Sequence, residues 1–482
     1  MTGGEEKKNI YRTIVKATGL FGGTQVFTIL CSIIKTKLVA IWLGAEGVGI
    51  IGLYNNTVEM ISSLTRLGIG TSSVRDLSKA FKSGDESRFA ELVSVVRRWI
   101  WFTGLLGAVV MLTFAPLLSR YTFGDDAHIW GYVFLSCTLL FTTLTEGERA
   151  VIQASERLRV LARCSVLGSF FALLFSLPLF YFFGISGIVP AIIAHTFSIW
   201  VVTVSLGRKI KPVKMSWTET YRQGKNIASL GIYMTVSGFV TTLYSYLFVA
   251  WLNDRGGTGE VGFFQAGYTL VMQYVGLVFT AMSMEYYPRL SAVCEDKVLL
   301  SEHVTRQVET SLLILAPVIS LFLIFQNLII HILYTSAFLA ISGYISWAVL
   351  GMLFRAFSWS VSFVLLAKGA GRIFLITEIV ADSLMFVMYL VGYTHWGLQG
   401  VGVAYLLAYL FSMTGIYMVC HLKFGLHIPV RMFVSLFVYS SLCYFVWLLW
   451  SNDCLAGAYS LTAFICLFTG FQLKKKIFCK SK

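Results

Sequence analysis

Six charged side chains lie inside long apolar stretches of the sequence, where a charge is costly and usually serves a function. They are three cations and three carboxylates: Lys35, Arg66, Arg355, Glu59, Glu378 and Asp382. Guanidinium and ammonium groups in a partly desolvated site suit a phosphate or pyrophosphate, whereas carboxylates suit a coupling cation or proton. We therefore predict that the three cations bind an anionic cargo, and that the carboxylates couple ions or pair with the cations.

Structural roles compete with this hypothesis. Glu378 and Asp382 are four residues apart and share one helix face, so either of them pairing with Arg355 would make a static ion pair between two helices. The intramembrane His195 is interpreted as a hydrogen-bonded packing residue, and Glu146 as an interfacial residue near a span end.

The elements that carry these charges are membrane spans. Hydrophobic residues make up 57% of the 482 residues and charged residues 13%, with a mean hydropathy of +0.75. Soluble domains carry about 25% charged residues, so the composition excludes a soluble enzyme and predicts an all-α polytopic membrane protein. Fourteen spans are predicted: 12–43, 47–70, 94–116, 128–148, 160–183, 185–206, 227–252, 260–286, 309–332, 341–366, 371–393, 396–420, 430–450 and 454–473.

The net charge of +14 reports orientation. With the N-terminus inside, 32 of the 38 Lys and Arg residues fall on the cytoplasmic side, Arg97 and Arg98 among them, and two fall outside. This bias predicts a multi-pass protein of a bacterial inner membrane with both termini cytoplasmic.

An internal repeat with an offset of 213 residues organises the spans. Val48-Gly49 recurs at 261–262, and Gly184-x-x-Gly187 recurs at 397–400. Six spans separate the copies, so both copies have the same orientation. The predicted domains are a six-helix lobe at 1–207, a cytoplasmic linker at 208–221, a second six-helix lobe at 222–421, and two further helices with a basic cytoplasmic tail at 422–482. The charges do not repeat: Glu59 corresponds to Met272, Arg66 to Phe279 and Arg355 to Thr142.

Several segments resemble a known family. They are the stretch from Thr36 to Gly49, Leu67-Gly-Ile-Gly70, Glu260-Val-Gly-Phe-Phe-Gln265, Tyr287-Pro-Arg-Leu-Ser291, and Arg355 through Ala367-Lys368 to Arg372 and Glu378. Over about residues 12–421 the chain is similar to bacterial O-antigen translocases and lipid III flippases. These belong to the multidrug/oligosaccharidyl-lipid/polysaccharide exporter superfamily, which also contains the lipid II flippases.

The resemblance implies translocation of an undecaprenyl-pyrophosphate-linked oligosaccharide, an O-antigen or capsule repeat unit, from the cytoplasmic to the periplasmic leaflet. It also implies a V-shaped pair of lobes that alternate in access. Lys35 falls where lipid II flippases carry a cavity arginine, Arg66 lies near their span-2 arginines, and Arg355 sits where the lipid III flippase carries a lysine. Spans 13 and 14 lie outside the twelve-span pattern of the lipid III flippase.

Two other functions stay open. One is a cation-coupled multidrug exporter of the same superfamily, and the other, less favoured, is a membrane glycosyltransferase or ligase, for which Asp125-Asp126 is the one acidic candidate outside. No P-loop and no H-E-x-x-H motif occurs, and no catalytic residue, metal or cofactor is predicted. The predicted partners are the lipid-linked oligosaccharide, membrane lipids, and polymerase and chain-length proteins of the same lipopolysaccharide or capsule pathway, with no nucleic acid.

Overall fold

The computed structural model describes the backbone of residues 3–207, 213 and 215–478. It describes no side chain for residues 3–22, 71, 217, 219, 221, 223–234, 273, 274, 277, 280, 281, 284, 288, 477 and 478. Within this part of the chain every regular element is a helix. Residues 208–212 and 214 of the predicted linker, and residues 479–482 of the basic tail, lie outside the described residues.

Thirteen α-helices follow one another along the described chain. They are α1 Gly3–Thr65, α2 Ile69–Lys82, α3 Glu86–Phe123, α4 Ile129–Ala154, α5 Leu158–Phe183, α6 Ile188–Gly207, α7 Trp217–Thr269, α8 Leu277–Val293, α9 Lys297–Leu333, α10 Ser342–Ala367, α11 Gly371–Phe424, α12 Val430–Ser451 and α13 Leu455–Phe478. Short 3-10 helices occupy Gly184–Gly187 and Ser336–Ile341, and a π-helix occupies Leu270–Val275.

Ten stretches of the described helices are long and apolar enough to cross a membrane. Four of these stretches contain a break: at Gly44 in α1, between α5 and α6, at Gly257 in α7, and at Gly397 in α11. Dividing the stretches at the breaks gives fourteen segments, and the part of α7 after Gly257 continues through the π-helix into α8. The all-α polytopic fold predicted from composition is confirmed.

The breaks themselves follow the repeat. Gly44 has φ 65° and ψ −162°, and Gly257, 213 residues later, has φ 77° and ψ 175°. Glu156 and Gly369 form a second pair at the same offset, with φ of 55° and 65°. Gly184 and Gly397 form a third, with φ of 56° and 57°. A positive φ disfavours continuation of a right-handed helix, so the two copies interrupt their helices at equivalent positions.

The end of α1 differs from the prediction. The second span was expected to reach residue 70, but α1 ends at Thr65, and Leu67 and Gly68 turn the chain with φ of 51° and 62°. Arg66 therefore lies in a turn rather than within a span. The amphipathic helix α2 follows where the sequence indicated a loop, and its apolar side buries Leu77 in a cluster with residues of α3 and α4.

The chain divides into two compact units, Met1–Val261 and Gly262–Lys482. In the first unit, α7 packs beside α1 and α3: the Ser63 and Thr242 hydroxyls lie 2.6 Å apart, and those of Thr122 and Tyr246 lie 2.9 Å apart. The lobe boundaries at 207 and 222 were drawn from the repeat and stay a prediction.

In the second unit α10 is the central helix, with fully buried residues such as Val349 and Leu353. The last two helices, α12 and α13, pack against α9. The Cys443 thiol of α12 donates to the Ala316 carbonyl of α9 at 3.6 Å, and Phe325 of α9 lies against Tyr459 of α13 with 6.4 Å between ring centroids.

Candidate functional site

Arg355 lies midway along α10, surrounded by aromatic and sulfur groups. Its guanidinium carbon is 5.4 Å from the ring centroid of Phe279 and 5.6 Å from that of Tyr409. One of its N–H groups donates to the Tyr405 hydroxyl at 3.2 Å and also contacts the Met272 sulfur. Ring faces and a phenol oxygen stabilise a cation without neutralising it. Among the described residues, no carboxylate lies within ion-pair distance of Arg355, so its charge is not neutralised by a direct ion pair.

A cavity of about 420 Å³ opens between α10 and α11 beside this arginine. Arg355, Tyr409, Glu378 and Asp382 all line the cavity. Glu378 is close enough to both Arg355 and Asp382 for their charges to interact. The sequence-based expectation that Arg355 and the α11 carboxylates share one place agrees with this arrangement. The cavity pairs one cation with two carboxylates, whereas the sequence analysis predicted a predominantly cationic lining.

Arg66 and Glu146 form the most direct contact between charges predicted for the interior of the membrane. Arg66 donates to a carboxylate oxygen of Glu146 at 2.6 Å, joining the end of α1 to α4. The charges of Glu59 and Arg149 are also within interaction range of Glu146. Only one nitrogen of Arg66 is used in this pair, and its buried Nε has no partner among the described residues. Glu146, interpreted from the sequence as interfacial, is thus the ion-pair partner of Arg66.

Lys35 lies in a different part of the first unit, on α1 near His195 of α6. The two side chains are close enough for their charges to interact. The Nδ1 atom of His195 is buried and accepts or donates no hydrogen bond within the described part of the chain. His195 therefore lacks, at Nδ1, the hydrogen bond that the packing interpretation expected.

Arg97 and Glu148 form a buried ion pair that the sequence analysis missed. The guanidinium of Arg97 in α3 meets the carboxylate of Glu148 in α4 through two bonds, of 2.7 Å and 2.9 Å. The side chains are 10% and 6% exposed. The sequence analysis counted Arg97 as a loop cation, but α3 begins at Glu86 and carries it inside the bundle. A signal was available, since Arg97 follows the apolar run Leu92–Val96 directly.

The neighbouring cation Arg98 also serves the first unit rather than a free loop. Its guanidinium donates to the Met215 carbonyl and to the Thr220 hydroxyl, both at 2.8 Å. The indole N–H of Trp99 donates to the Thr220 carbonyl at 3.1 Å. These bonds attach the start of α7 to α3.

Comparisons with known proteins settle the family. The model of the polysaccharide biosynthesis protein family matches residues 38–343, more than half of the chain. The chain belongs to this family. No curated protein sequence matches it.

Solved structures show where this member of the polysaccharide biosynthesis protein family stands by fold. A multidrug resistance MATE family transporter of the MOP superfamily, in an inward-facing conformation, has a TM-score of 0.70, with 14% identity, and the match covers 83% of this chain and 94% of that one. The lipid II flippase MurJ, in an inward closed conformation, has a TM-score of 0.64, with 14% identity, over 95% of this chain and 99% of that one. Family and fold together place the chain among the flippases and exporters of that superfamily, as the sequence resemblance predicted.

The acidic pair predicted as the alternative enzymatic site has a structural role in this family member. Asp126 accepts two bonds from Arg120, of 2.7 Å and 2.9 Å, and the hydrogen bond from Arg120 lowers the pKa of the Asp126 carboxyl. Asp125 accepts from the backbone N–H of Ala127 and lies 3.0 Å from the His128 ring. A general acid needs a raised pKa near the working pH, so this loop is better suited to shaping the turn between α3 and α4.

The predicted site residues thus occupy three separate settings. Lys35 and Arg66 belong to the first unit and have different neighbours there, whereas Arg355 belongs to the second unit with Glu378 and Asp382. In the part of the chain that the structure describes, no cluster of three His, Cys, Asp or Glu side chains is placed to hold a metal ion.

Proposed function

We propose that the chain is a flippase that moves an undecaprenyl-pyrophosphate-linked oligosaccharide, an O-antigen or capsule repeat unit, from the cytoplasmic to the periplasmic leaflet by alternating access. The observation that carries this proposal is Arg355, a guanidinium beside a cavity in a membrane bundle with no carboxylate within ion-pair distance among the described residues. Such a cation favours an anionic group of the cargo, and a pyrophosphate matches its donors.

In this proposal Arg355, Arg66 and Lys35 contact the pyrophosphate at successive stages of translocation. Arg355 is held by rings that leave its charge available. Arg66 retains donors beyond its bond to Glu146. Glu378 and Asp382 take the coupling cation or proton in the same cavity, and Glu59 adjusts the charge around Arg66 and Glu146.

The direction of transport and the location follow from the distribution of cations. Thirty-two Lys and Arg residues on one side support an inner membrane protein with cytoplasmic termini. The partners on the far side would be the polymerase and chain-length proteins that use the flipped repeat unit. No catalytic residue belongs to this proposal, because the cargo crosses the membrane without chemical change.

The proposal is tested in cells that lack the chromosomal copy of this chain. We expect the lipid-linked oligosaccharide to accumulate in the cytoplasmic leaflet and surface polysaccharide to disappear, and the wild-type chain to restore it. Leaflet location is measured by the access of an impermeant sugar-oxidising reagent to intact cells and to inverted vesicles. Unchanged surface polysaccharide in the deletion strain would contradict the proposal.

The carboxylates beside Arg355 favour one second candidate, a cation-coupled multidrug exporter. Acidic groups in a cavity suit drug cations, and Glu378 and Asp382 supply them. The candidates separate in one assay: an exporter clears a cationic dye from energised vesicles, and Glu378→Gln with Asp382→Asn stops the clearance. A flippase leaves the dye where it is.

A further inference from the structure

A second cavity, of about 830 Å³, lies far along the second unit from the Arg355 cavity, at one end of three packed helices. Its walls are the first turns of α9, the start of α12 and the last turn of α13. We call it the basic cavity, because four cations line it: Arg306, Arg431, Lys475 and Lys476. Two carboxylates, Glu302 and Glu309, complete its charged lining.

The carboxylates neutralise only half of the cations. Glu302 pairs with Arg306 along α9, and Glu309 of α9 pairs with Lys476 of α13. Among the described residues, Arg431 and Lys475 have no acidic partner within ion-pair distance. Two uncompensated cations from two different helices therefore face one space, and an anion placed there would be attracted to both.

The position of the basic cavity indicates a lipid headgroup. It lies where the apolar spans of α12 and α13 begin and end, which is the depth of the headgroups in a bilayer. Basic pockets between transmembrane helices at this depth bind phosphate-bearing headgroups.

An apolar groove continues from the basic cavity along α12. Val434, Val438, Leu442 and Phe445 follow Arg431 at intervals of three or four residues, so they share its face of the helix. They line a groove of about 440 Å³. Val434 and Phe445 are about half exposed, at 55% and 52%. A headgroup on Arg431 would place its acyl chain along this stripe, which a soluble phosphate would leave empty.

We propose that the basic cavity binds the phosphate headgroup of an anionic phospholipid, with Arg431 and Lys475 as its principal ligands. The site is separate from the cargo cations and does not depend on what the chain transports. It fixes a bilayer lipid against the last two helices and so joins α12 and α13 to α9.

The test is native mass spectrometry of the full chain purified in detergent and titrated with phosphatidylglycerol, with phosphatidylethanolamine and inorganic phosphate as parallel probes. We expect saturable binding of phosphatidylglycerol and much weaker binding of the other two. The double variant Arg431→Gln, Lys475→Gln should bind phosphatidylglycerol roughly 25-fold more weakly, at about fivefold for each cation near a membrane surface. The matched control is Lys474→Gln, an adjacent exposed lysine that does not line the basic cavity.

Two further variants make the test independent of folding. Arg431→Lys with Lys475→Arg keeps both charges and should bind like the wild type. Glu302→Gln releases Arg306 from its ion pair and should tighten binding several-fold, a gain that damaged folding would not produce. Equal affinities of the double variant and Lys474→Gln would overturn the proposal, as would equal binding of phosphatidylglycerol and inorganic phosphate.

Discussion

Arg66 and Glu146 form an ion pair with 2.6 Å between nitrogen and oxygen. Their counterparts 213 residues later are Phe279 and Trp359, whose ring centroids lie 5.5 Å apart. The same contact between equivalent helices is therefore made by charges in the first unit and by aromatic rings in the second. Because rings suffice for the packing, the charges of the first unit are not required to hold these helices together, and a role toward the cargo is the better explanation.

This relationship predicts different outcomes for two variants of the first unit. Arg66→Ala should lower surface polysaccharide roughly ten- to hundredfold, since a charge-assisted hydrogen bond to the cargo is lost. Glu146→Gln should retain most of it, because Arg66 keeps its charge. Both are measured in the deletion strain, with membrane levels of the chain determined by immunoblot.

The double variant Arg66→Phe, Glu146→Trp is the sharper control, because it gives the first unit the ring pair of the second. We expect normal membrane levels and no transport. Full transport by this double variant would show that the ion pair is only a contact between helices.

Arg355 should depend mainly on its charge. Arg355→Ala removes the cation from between the rings of Phe279 and Tyr409 and should abolish surface polysaccharide. Arg355→Lys keeps the charge but loses the planar donors that reach Tyr405, and it should retain roughly a tenth of the wild-type rate. Rates are measured as radiolabelled sugar incorporated into surface polymer. An alanine variant with wild-type incorporation would exclude Arg355 from the cargo path.

The helix breaks should be sensitive to a methyl group. Gly44 and Gly257 have dihedral angles that are almost restricted to glycine, so Gly44→Ala or Gly257→Ala should cost about 1–3 kcal/mol. The measurement is the unfolding temperature of the purified chain in detergent. The control is Gly470→Ala in α13, where an added Cβ meets nothing within 4 Å and helix propensity improves. Equal unfolding temperatures for all three variants would contradict the importance of the breaks.

The sequence predicted the span pattern well because bilayer thickness fixes the length of each apolar run, and because the repeat gives a second reading of every boundary. The matched positions of Gly184 and Gly397 located a real break in both copies. The end of α1 was misplaced because Leu67-Gly68-Ile69-Gly70 is apolar enough to extend a hydropathy window, although its backbone turns.

The pairing of charges was much less predictable. Arg66 and Glu146 are 80 residues apart, and Arg97 and Glu148 are 51 apart, so their meeting depends on how helices pack. Hydropathy assigns a depth to each residue but no rotation of its helix. Arg355 near Glu378 was accessible because adjacent spans α10 and α11 must pack as an antiparallel pair, which limits the choices.

The buried ion pair of Arg97 and Glu148 gives a prediction about stability rather than transport. Glu148→Gln or Arg97→Gln leaves one buried charge without its partner, which should cost about 3–5 kcal/mol. Replacing both by Leu removes both charges together, and such a replacement is often neutral or stabilising. We therefore expect either single variant to lower the unfolding temperature of the purified chain and the fraction extracted as monodisperse protein, and the double variant to recover both. The exposed pair of Arg120 and Asp126 is the matched control, since both side chains are more than half exposed and Asp126→Asn should change little. If the double leucine variant were less stable than either single variant, the charges themselves would be the stabilising element of α3 and α4.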